Sequence, residues 1–315
     1  MNRPARRDMI PSPLPALLPP LPTPLHRTGA VDGEALHRIA GHLHAGGVRA
    51  GFVLGSTGEL PSLSKHQRRE VLRLAAEAFA GRLMLLAGVG DPCLEETVSL
   101  AHAAAEHGAA AVVVNAPSYY EISGQDMRAW LDAVLPRLPL PVLLYNMPWL
   151  TGHSFDDPTI RHALAFPSLA GFKDSSGDLT YFANLVGLAS ARPGLPVFMG
   201  NDFLYLESLR LGGHGAVAGG ANLYPSLFVE VQEAFAAGHR ERAAAAQEEI
   251  TRLGRSIFPV TGQPASVFSA VKGGLAALGL CEPDMLPPLT TCGPAHIASL
   301  RRILCETTLE AAATA

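Results

Sequence analysis

Three lysines, Lys65, Lys173 and Lys272, stand among 24 cationic residues, and the other 21 are arginine. Giving up a proton is the one task a guanidinium cannot perform, so each surviving lysine is a candidate for amine chemistry. Lys173 closes the apolar run 169–173 in the segment GFKDSSGD (residues 171–178). An amine at the end of an apolar strand is desolvated, and desolvation favours its neutral form, the state that adds to a carbonyl to form a carbinolamine and then an imine. The competing structural role is a lysine snorkelling at a strand end. The run, its position and the scarcity of lysine tilt the reading towards chemistry. Lys65, in SKHQ, reads as solvated at a helix start, and Lys272 reads as a residue of a helical stretch, 267–278, with function there the minority reading.

Other groups of the right type close other runs. Gly55-Ser56-Thr57-Gly58-Glu59 sets two hydroxyls and exposed backbone N–H groups at a turn, which suits a small anion such as a carboxylate; a plain turn with helix-capping hydroxyls is an equal alternative. The phenols of Tyr119 and Tyr120 follow one run and that of Tyr145 closes another, where each can shuttle protons or simply pack at a rim. Asp174 is expected on the face opposite Lys173 and Asp178 at the N-cap of the next helix. The 12 histidines form no metal-ligand spacing, His42 and His44 diverging on a helix, and no G-x-S-x-G elbow or P-loop is present. No metal site is therefore expected.

The elements that would position these groups follow from the hydrophobic pattern. Eight short apolar runs, at 14–21, 50–54, 83–89, 109–116, 140–145, 169–173, 195–199 and 215–218, recur at the interval of a strand plus a crossover helix. Helical spacing fills the gaps, as in 65–79 and 95–106. Continuous rather than alternating hydrophobicity predicts strands buried on both faces of a parallel sheet. Eight such units point to an α/β fold, a closed (β/α)8 TIM barrel, with active residues at the carboxyl ends of its strands. An open doubly wound sheet is the runner-up, but Gly88-Val89-Gly90 continues into Asp91-Pro92 without the third glycine of a dinucleotide site. Beyond residue 221 the pattern is mostly helical, at 225–237, 240–257, 265–278 and 294–305. The last three are expected as helices appended to the outside of the barrel or as a small C-terminal helical region. The expected organisation is a Pro-rich lead-in with the first strand over 1–22, the barrel over 23–235 and a packed C-terminal helical region over 236–315.

Composition bounds the function classes. At 315 residues, 48% hydrophobic and 17% charged, the chain has ample material for a core and too little charge for extended disorder. A formal net charge of −4 gives no basic excess for nucleic acid or anionic membrane. Four cysteines, Cys93, Cys281, Cys292 and Cys305, are too sparse for a disulfide framework and fit a cytoplasmic setting. Arg3, Arg6 and Arg7 resemble the start of a signal peptide, but seven prolines between residues 11 and 24 prevent a helical apolar segment. No run is long enough to span a bilayer.

Five motifs, GSTGE (55–59), PSYY (117–120), YNMPWLTG (145–152), GFKDSSGD (171–178) and LGGHGAVAGGAN (211–222), occur in the order and spacing of the dihydrodipicolinate synthase/N-acetylneuraminate lyase family, which this chain resembles from about residue 23 to 280. The resemblance implies a (β/α)8 barrel with a C-terminal helical region, in a homotetramer, and a class I aldolase mechanism without metal or organic cofactor. It implies Lys173 as the Schiff-base lysine for pyruvate or another 2-oxo acid, the protonated imine serving as electron sink. Tyr145 is then the proton-relaying phenol, with Ser56 and Tyr119 linking it to solvent, Tyr119 reaching in from a neighbouring subunit. Thr57 with adjacent backbone N–H groups matches the pyruvate-carboxylate site, and Val217 the residue whose carbonyl lines the pocket. Gly55, Leu150, Ser175 and Asp202 complete the implied substrate-binding set.

Departures from the family patterns bear on the substrate. Synthases resemble YN-x-P-x-R-T-G, whose arginine holds the second substrate's carboxylate, whereas this chain has Leu150. Losing a bidentate cation removes on the order of two charge-assisted hydrogen bonds. Pro61, Lys65, Arg68 and Ser118 stand at the positions of some synthases' lysine-feedback site and do not match it. Neuraminate lyases resemble G-Y-D-E after the seventh strand and carry a serine in the eighth-strand motif; here the residues are Gly200-Asn201-Asp202-Phe203 and Gly219. Leu150 before Thr151-Gly152 instead resembles pyruvate-forming aldolases of 2-keto-3-deoxy sugar acids. The expected reaction is reversible cleavage of a 2-oxo-3-deoxy or 4-hydroxy-2-oxo acid to pyruvate and an aldehyde, with Trp149, Phe203, Gly219 and Gly220 admitting a bulkier or less polar aldehyde. The alternatives are 4-hydroxy-tetrahydrodipicolinate synthase, a dehydratase using the same imine, and a non-catalytic binding barrel. The partners implied are small molecules, with no nucleic acid and no membrane.

Overall fold

The computed structural model describes residues 14–313; the first part of the proline-rich lead-in lies outside the described residues. Seven strands form one wholly parallel sheet in sequential order: β1 (Ala50–Val53), β2 (Met84–Gly88), β3 (Ala111–Asn115), β4 (Val142–Asn146), β5 (Leu169–Asp174), β6 (Val197–Met199) and β7 (Gly215–Ala216). These are runs two to eight of the sequence pattern. β4 and β6 start two residues into their apolar runs, where Pro141 and Pro196 stand just before Val142 and Val197 and cannot donate to a ladder.

The expected first strand, 14–21, is not a strand. Its prolines remove the donors a ladder needs, and only isolated parallel bridges form, Leu17 with Ala216 and Pro20 with Phe52. The remaining donors and carbonyls still bond to both edges of the sheet: Leu18 N–H to Ala216 O (2.9 Å) and Ala216 N–H to Ala16 O (2.8 Å) on one side, Phe52 N–H to Pro19 O (2.9 Å) and Leu21 N–H to Phe52 O (2.8 Å) on the other.

Helices cover the outer face of the sheet: α1 (Gly33–Ala45), α2 (Lys65–Phe79), α3 (Leu94–Glu106), α4 (Gly124–Val134), the short α5 (Pro148–Thr151) and α6 (Asp157–Ala163), α7 (Leu179–Ala189), α8 (Tyr205–Arg210) and α9 (Pro225–Ala236). Buried residues accordingly fall into two clusters. The larger joins alternate strand residues such as Val112, Leu144 and Phe172 to the apolar faces of these helices. The smaller lies inside the curl of the sheet and gathers Leu18, Phe52, Leu86, Val113, Leu143, Tyr145, Phe198 and Val217. Both faces of every strand are thus apolar, which is why the runs show no alternation.

Three further helices follow, α10 (Arg240–Ile257), α11 (Ser266–Ala277) and α12 (Pro294–Ala313). They do not all lie outside the sheet and helix layers, as expected from the sequence. α11 reaches the loops that follow the strands: the Phe268 ring stacks on Trp149, centroids 6.0 Å apart and planes at 11°, and Lys272 is fully buried against Glu59. Residues of α11 are buried nearly all round, Ser266, Ser269 and Lys272 included, the mark of a helix packed between layers. Among the described residues, no helix is long and apolar enough to cross a membrane.

Candidate active site

Two neighbouring strands bring the amine and the phenol together. In the β4–β5 pairing Tyr145 stands opposite Lys173 and Asn146 opposite Asp174. The register changes by one residue between Val142 and Leu143, which pair with Leu169 and Gly171, so Ala170 is an extra residue in β5. Side chains alternate along a strand, and Leu169 belongs to the outer cluster. A regular strand would carry Lys173, four positions on, to that same outer face. The bulge reverses the alternation, so that Ala170 packs on the inner cluster, Phe172 on the outer one, and Lys173 points inward beside Tyr145. Asp174 takes the opposite face as expected, accepting from Asn146 Nδ2 (2.8 Å) and Ser176 Oγ (2.9 Å). Asp178 caps α7 through Thr180 N–H at 2.7 Å.

Lys173 is 4% exposed. Its Nζ lies 3.7 Å from the centroid of the Tyr145 ring and 5.2 Å from that of Phe52. Burial lowers its pKa to about 7, with the negative charge of Asp202 acting the other way. The neutral amine is therefore far more populated near neutral pH than it is in an ordinary lysine. Burial likewise pushes Tyr145 up to about 12, and hydrogen bonds from the Ser175 and Ser56 hydroxyls pull it back in part. The phenol rests protonated beside two hydroxyls, an arrangement that can pass a proton along.

The turn 55–58 borders the site beside these two side chains. It is flanked by two non-glycine residues in the left-handed region, Leu54 (φ 57°) and Glu59 (φ 59°). Such conformations cost of order 1–3 kcal/mol each and persist only where the surroundings over-determine them. The turn is held by Glu59 N–H to Ser56 O (3.1 Å), Leu60 N–H to Gly55 O (3.3 Å) and Thr23 Oγ1 to Gly58 O (2.7 Å). The Ser56 and Thr57 N–H groups have no acceptor among the described residues. Thr57 is buried. A cavity of about 360 Å³ opens over this turn, with Phe52, Gly55, Ser56, Tyr145 and Leu150 in its wall, so the two rings on which Lys173 rests form part of its lining.

Asp202 begins a 3-10 turn after β6 and is buried. Its carboxylate accepts Gly219 N–H (3.0 Å) and Gly220 N–H (2.7 Å), while burial pushes its pKa up to about 6 against those two bonds and the Lys173 charge. It ties the loop after β7 to the loop after β6 and faces the amine electrostatically. Val217, just past β7, is buried in the inner cluster and donates to Met199 O at 2.8 Å.

Not every expected residue comes to this centre. Within one chain Tyr119 points away: the residue is 88% exposed, its φ is 87°, and its neighbour in edge contact is Tyr120. Phe203 packs towards α10, against Phe258 (5.9 Å) and beside Gly254, and Trp149 lies on Phe268, so neither enlarges the cavity. Gly220 is a glycine for a different reason than pocket width, since a Cβ there would lie 2.5 Å from Tyr224 Oη and 2.6 Å from Asp202 Oδ2. At Gly219 a Cβ would meet only Val271, at 3.5 Å. The sequence reading named Glu59 in the turn and Lys272 in a helix but missed that the two pair. The one hint was the excess of arginine over lysine, which marked Lys272 without naming a partner.

The Dihydrodipicolinate synthetase family profile matches residues 14–307. Among curated proteins, the chain is 31% identical over 276 residues to the Probable 2-dehydro-3-deoxy-D-pentonate aldolase YjhH of Escherichia coli (strain K12), covering 87% of this chain and 90% of that protein. It is 34% identical over 281 residues to the 4-hydroxy-tetrahydrodipicolinate synthase of Hyphomonas neptunium, covering 87% and 91%. Among solved structures, the dihydrodipicolinate synthase of Bacteroides thetaiotaomicron superposes with a TM-score of 0.89 at 35% identity, over 93% of this chain and 99% of that one. YagE of Escherichia coli K12, solved with pyruvate, superposes with a TM-score of 0.86 at 25% identity, over 93% and 98%. The chain is an enzyme of the dihydrodipicolinate synthetase family.

Proposed function

We propose that the chain is a class I, Schiff-base-forming aldolase that reversibly cleaves a 2-oxo-3-deoxy sugar acid or a 4-hydroxy-2-oxo acid to pyruvate and an aldehyde. The observation that carries this reading is Lys173, an inward-pointing, desolvated amine with a pKa of about 7, lying on the ring of a phenol that two hydroxyls hydrogen-bond. The neutral Nζ adds to the keto carbon, and loss of water leaves a protonated imine. The turn 55–58 takes the adjacent carboxylate on the Ser56 and Thr57 N–H groups and the Thr57 hydroxyl. The protonated Tyr145 releases its own proton to Ser56, which hands one on to solvent, as the phenol oxygen takes the proton of the C4 hydroxyl. The C3–C4 bond then breaks, its electron pair moving into the imine to give an enamine as the aldehyde departs. Protonation at C3 and hydrolysis return pyruvate and the free amine. All of the acid–base work falls to side chains, so no metal or organic cofactor enters this scheme.

Leu150 in the cavity wall favours sugar-acid cleavage over condensation with a second carboxylate-bearing substrate. The synthase reading is supported by the several relatives named 4-hydroxy-tetrahydrodipicolinate synthase. It would need a cation elsewhere in the cavity, and the one there, Arg68, is already paired with Asp91 at 2.6 Å.

The fold we infer is a (β/α)8 barrel, the segment 14–21 standing in as the eighth strand, with barrel and C-terminal helical region divided near residue 236. We further read the protein as a cytoplasmic homotetramer in which the exposed, left-handed Tyr119 serves the site of a neighbouring chain. Borohydride reduction in the presence of pyruvate tests the central claim: a three-carbon adduct should map to Lys173 and vanish in Lys173→Ala. An adduct elsewhere, or none, overturns it. A panel of aldehydes with pyruvate, run beside aspartate semialdehyde, then separates aldolase from synthase.

A further inference from the structure

Glu59 closes the turn that the preceding reading assigns to the substrate carboxylate, and its own side chain points away from the cavity into the protein. Both carboxylate oxygens are used there. One pairs with Lys272 Nζ, and both side chains of that pair are 0% exposed. The other accepts Leu286 N–H at 2.7 Å, while Lys272 Nζ donates also to Asp284 O at 2.8 Å. A left-handed residue beside the turn is thereby bonded to α11 and to the chain just beyond it, across 213 residues of sequence. Burying two unit charges is costly for a fold and gives no general advantage over apolar packing. Here both charges also have backbone partners, and what they hold is a strained turn that borders the cavity and whose Ser56 and Thr57 N–H groups have no acceptor among the described residues.

We propose that Glu59 and Lys272 are the positioning pair that holds the turn 55–58 in its anion-binding shape, so that the buried ion pair sets the affinity for the carboxylate of the 2-oxo acid. The pair touches no substrate. Its effect passes through the φ of Glu59 to the direction of the Ser56 and Thr57 N–H groups, which lose strength as hydrogen bonds when their angle or distance drifts. Lys173 stands on another strand and is left in place, so the effect falls on substrate affinity and not on imine chemistry.

The proposal rests on the Schiff-base reading and is tested by reductive trapping at Lys173. Glu59→Gln combined with Lys272→Met removes both charges and leaves no lone ion in the interior. Trapping is measured against concentration for two carbonyl compounds, pyruvate and acetone, the second having no carboxylate. The double variant is expected to raise half-saturating pyruvate about 10- to 100-fold, the worth of one or two charge-assisted hydrogen bonds. Full labelling is retained at saturation, and the acetone curve moves less than about threefold. A pyruvate curve within about threefold of the parent, or pyruvate and acetone curves shifted together, overturns the proposal. Glu59→Asp keeps both charges and shortens the reach. It carries the same test if the double variant does not fold, with a pyruvate-selective shift of at least about threefold expected and an unmoved curve refuting. If the parent protein takes no pyruvate adduct, the functional reading itself fails, a result distinct from a labelled parent whose variants are unchanged.

Discussion

Replacing Lys173 with methionine should make the protein more stable, and by an amount that depends on pH. The amine is fully enclosed, and its pKa falls from an ordinary value of 10.5 to about 7. In the unfolded chain the same lysine binds a proton up to about 10.5, so folding between those two values requires that the proton be given up, which opposes folding. The penalty is largest below about pH 7, shrinks as the pH rises towards the unfolded value and disappears above it. With these values it is about 4 kcal/mol at pH 7 and about 2 kcal/mol at pH 9. Methionine has a similar volume, carries no charge and can rest its sulfur on the Tyr145 and Phe52 rings that now hold Nζ. For a chain of 315 residues, the melting temperature should rise by about 6 °C at pH 7 and about 3 °C at pH 9. Parallel thermal melts of the two proteins at both pH values make the measurement. A variant no more stable than its parent at pH 7, or a gain that does not shrink at pH 9, would refute the claim that burial holds this amine near neutrality.

The same titration should govern the chemistry: the initial rate of pyruvate trapping should climb about tenfold from pH 6 to pH 8 and then level, with an apparent midpoint near 7. A midpoint near 10 would show a solvated lysine. Tyr145→Phe removes the phenol oxygen but leaves the ring under Nζ, so adduct formation should persist while turnover falls about 10²- to 10⁴-fold; equal loss of both would place the tyrosine in imine formation instead. Gly88→Ala should destabilise the fold by about 3 kcal/mol or more, because a Cβ there would sit 1.9 Å from the carbonyl oxygen of left-handed Leu54. A melting temperature matching the parent's would show that the Leu54 turn has room to shift.

Much of this architecture is written in local pattern. Strands buried on both faces announce themselves as unbroken apolar runs, and the α2 boundaries follow from Ser64 and Gln67, whose side chains form a reciprocal cap at its start. The pairing of Tyr145 with Lys173 needs only that adjacent parallel strands end level. What was not legible depends on chain segments far apart in sequence. The proline-rich opening has the hydrophobicity of a strand but lacks the donors for a ladder, and only the geometry of both sheet edges shows how 16–21 is bonded there. Lys272 looked like a helix residue because its partner lies 213 positions away. Phe203 and Gly220 looked like pocket walls because composition cannot say which way a loop side chain turns; α10 and Tyr224 decide it. Tyr119 points to solvent within a single chain, so nothing in this chain's own packing fixes the position of its ring.

The extra residue at Ala170 makes the facing of the amine a matter of odd and even counting. Loss or gain of a single codon within β5 would exchange Lys173 for Asp174 at the inner face, presenting a carboxylate where the amine now points while leaving composition and hydrophobicity almost unchanged. Point substitutions can tune such a centre by degrees, whereas a shift of parity can only switch it off. Anyone transplanting this lysine into another parallel sheet must therefore copy the irregular strand along with the residue.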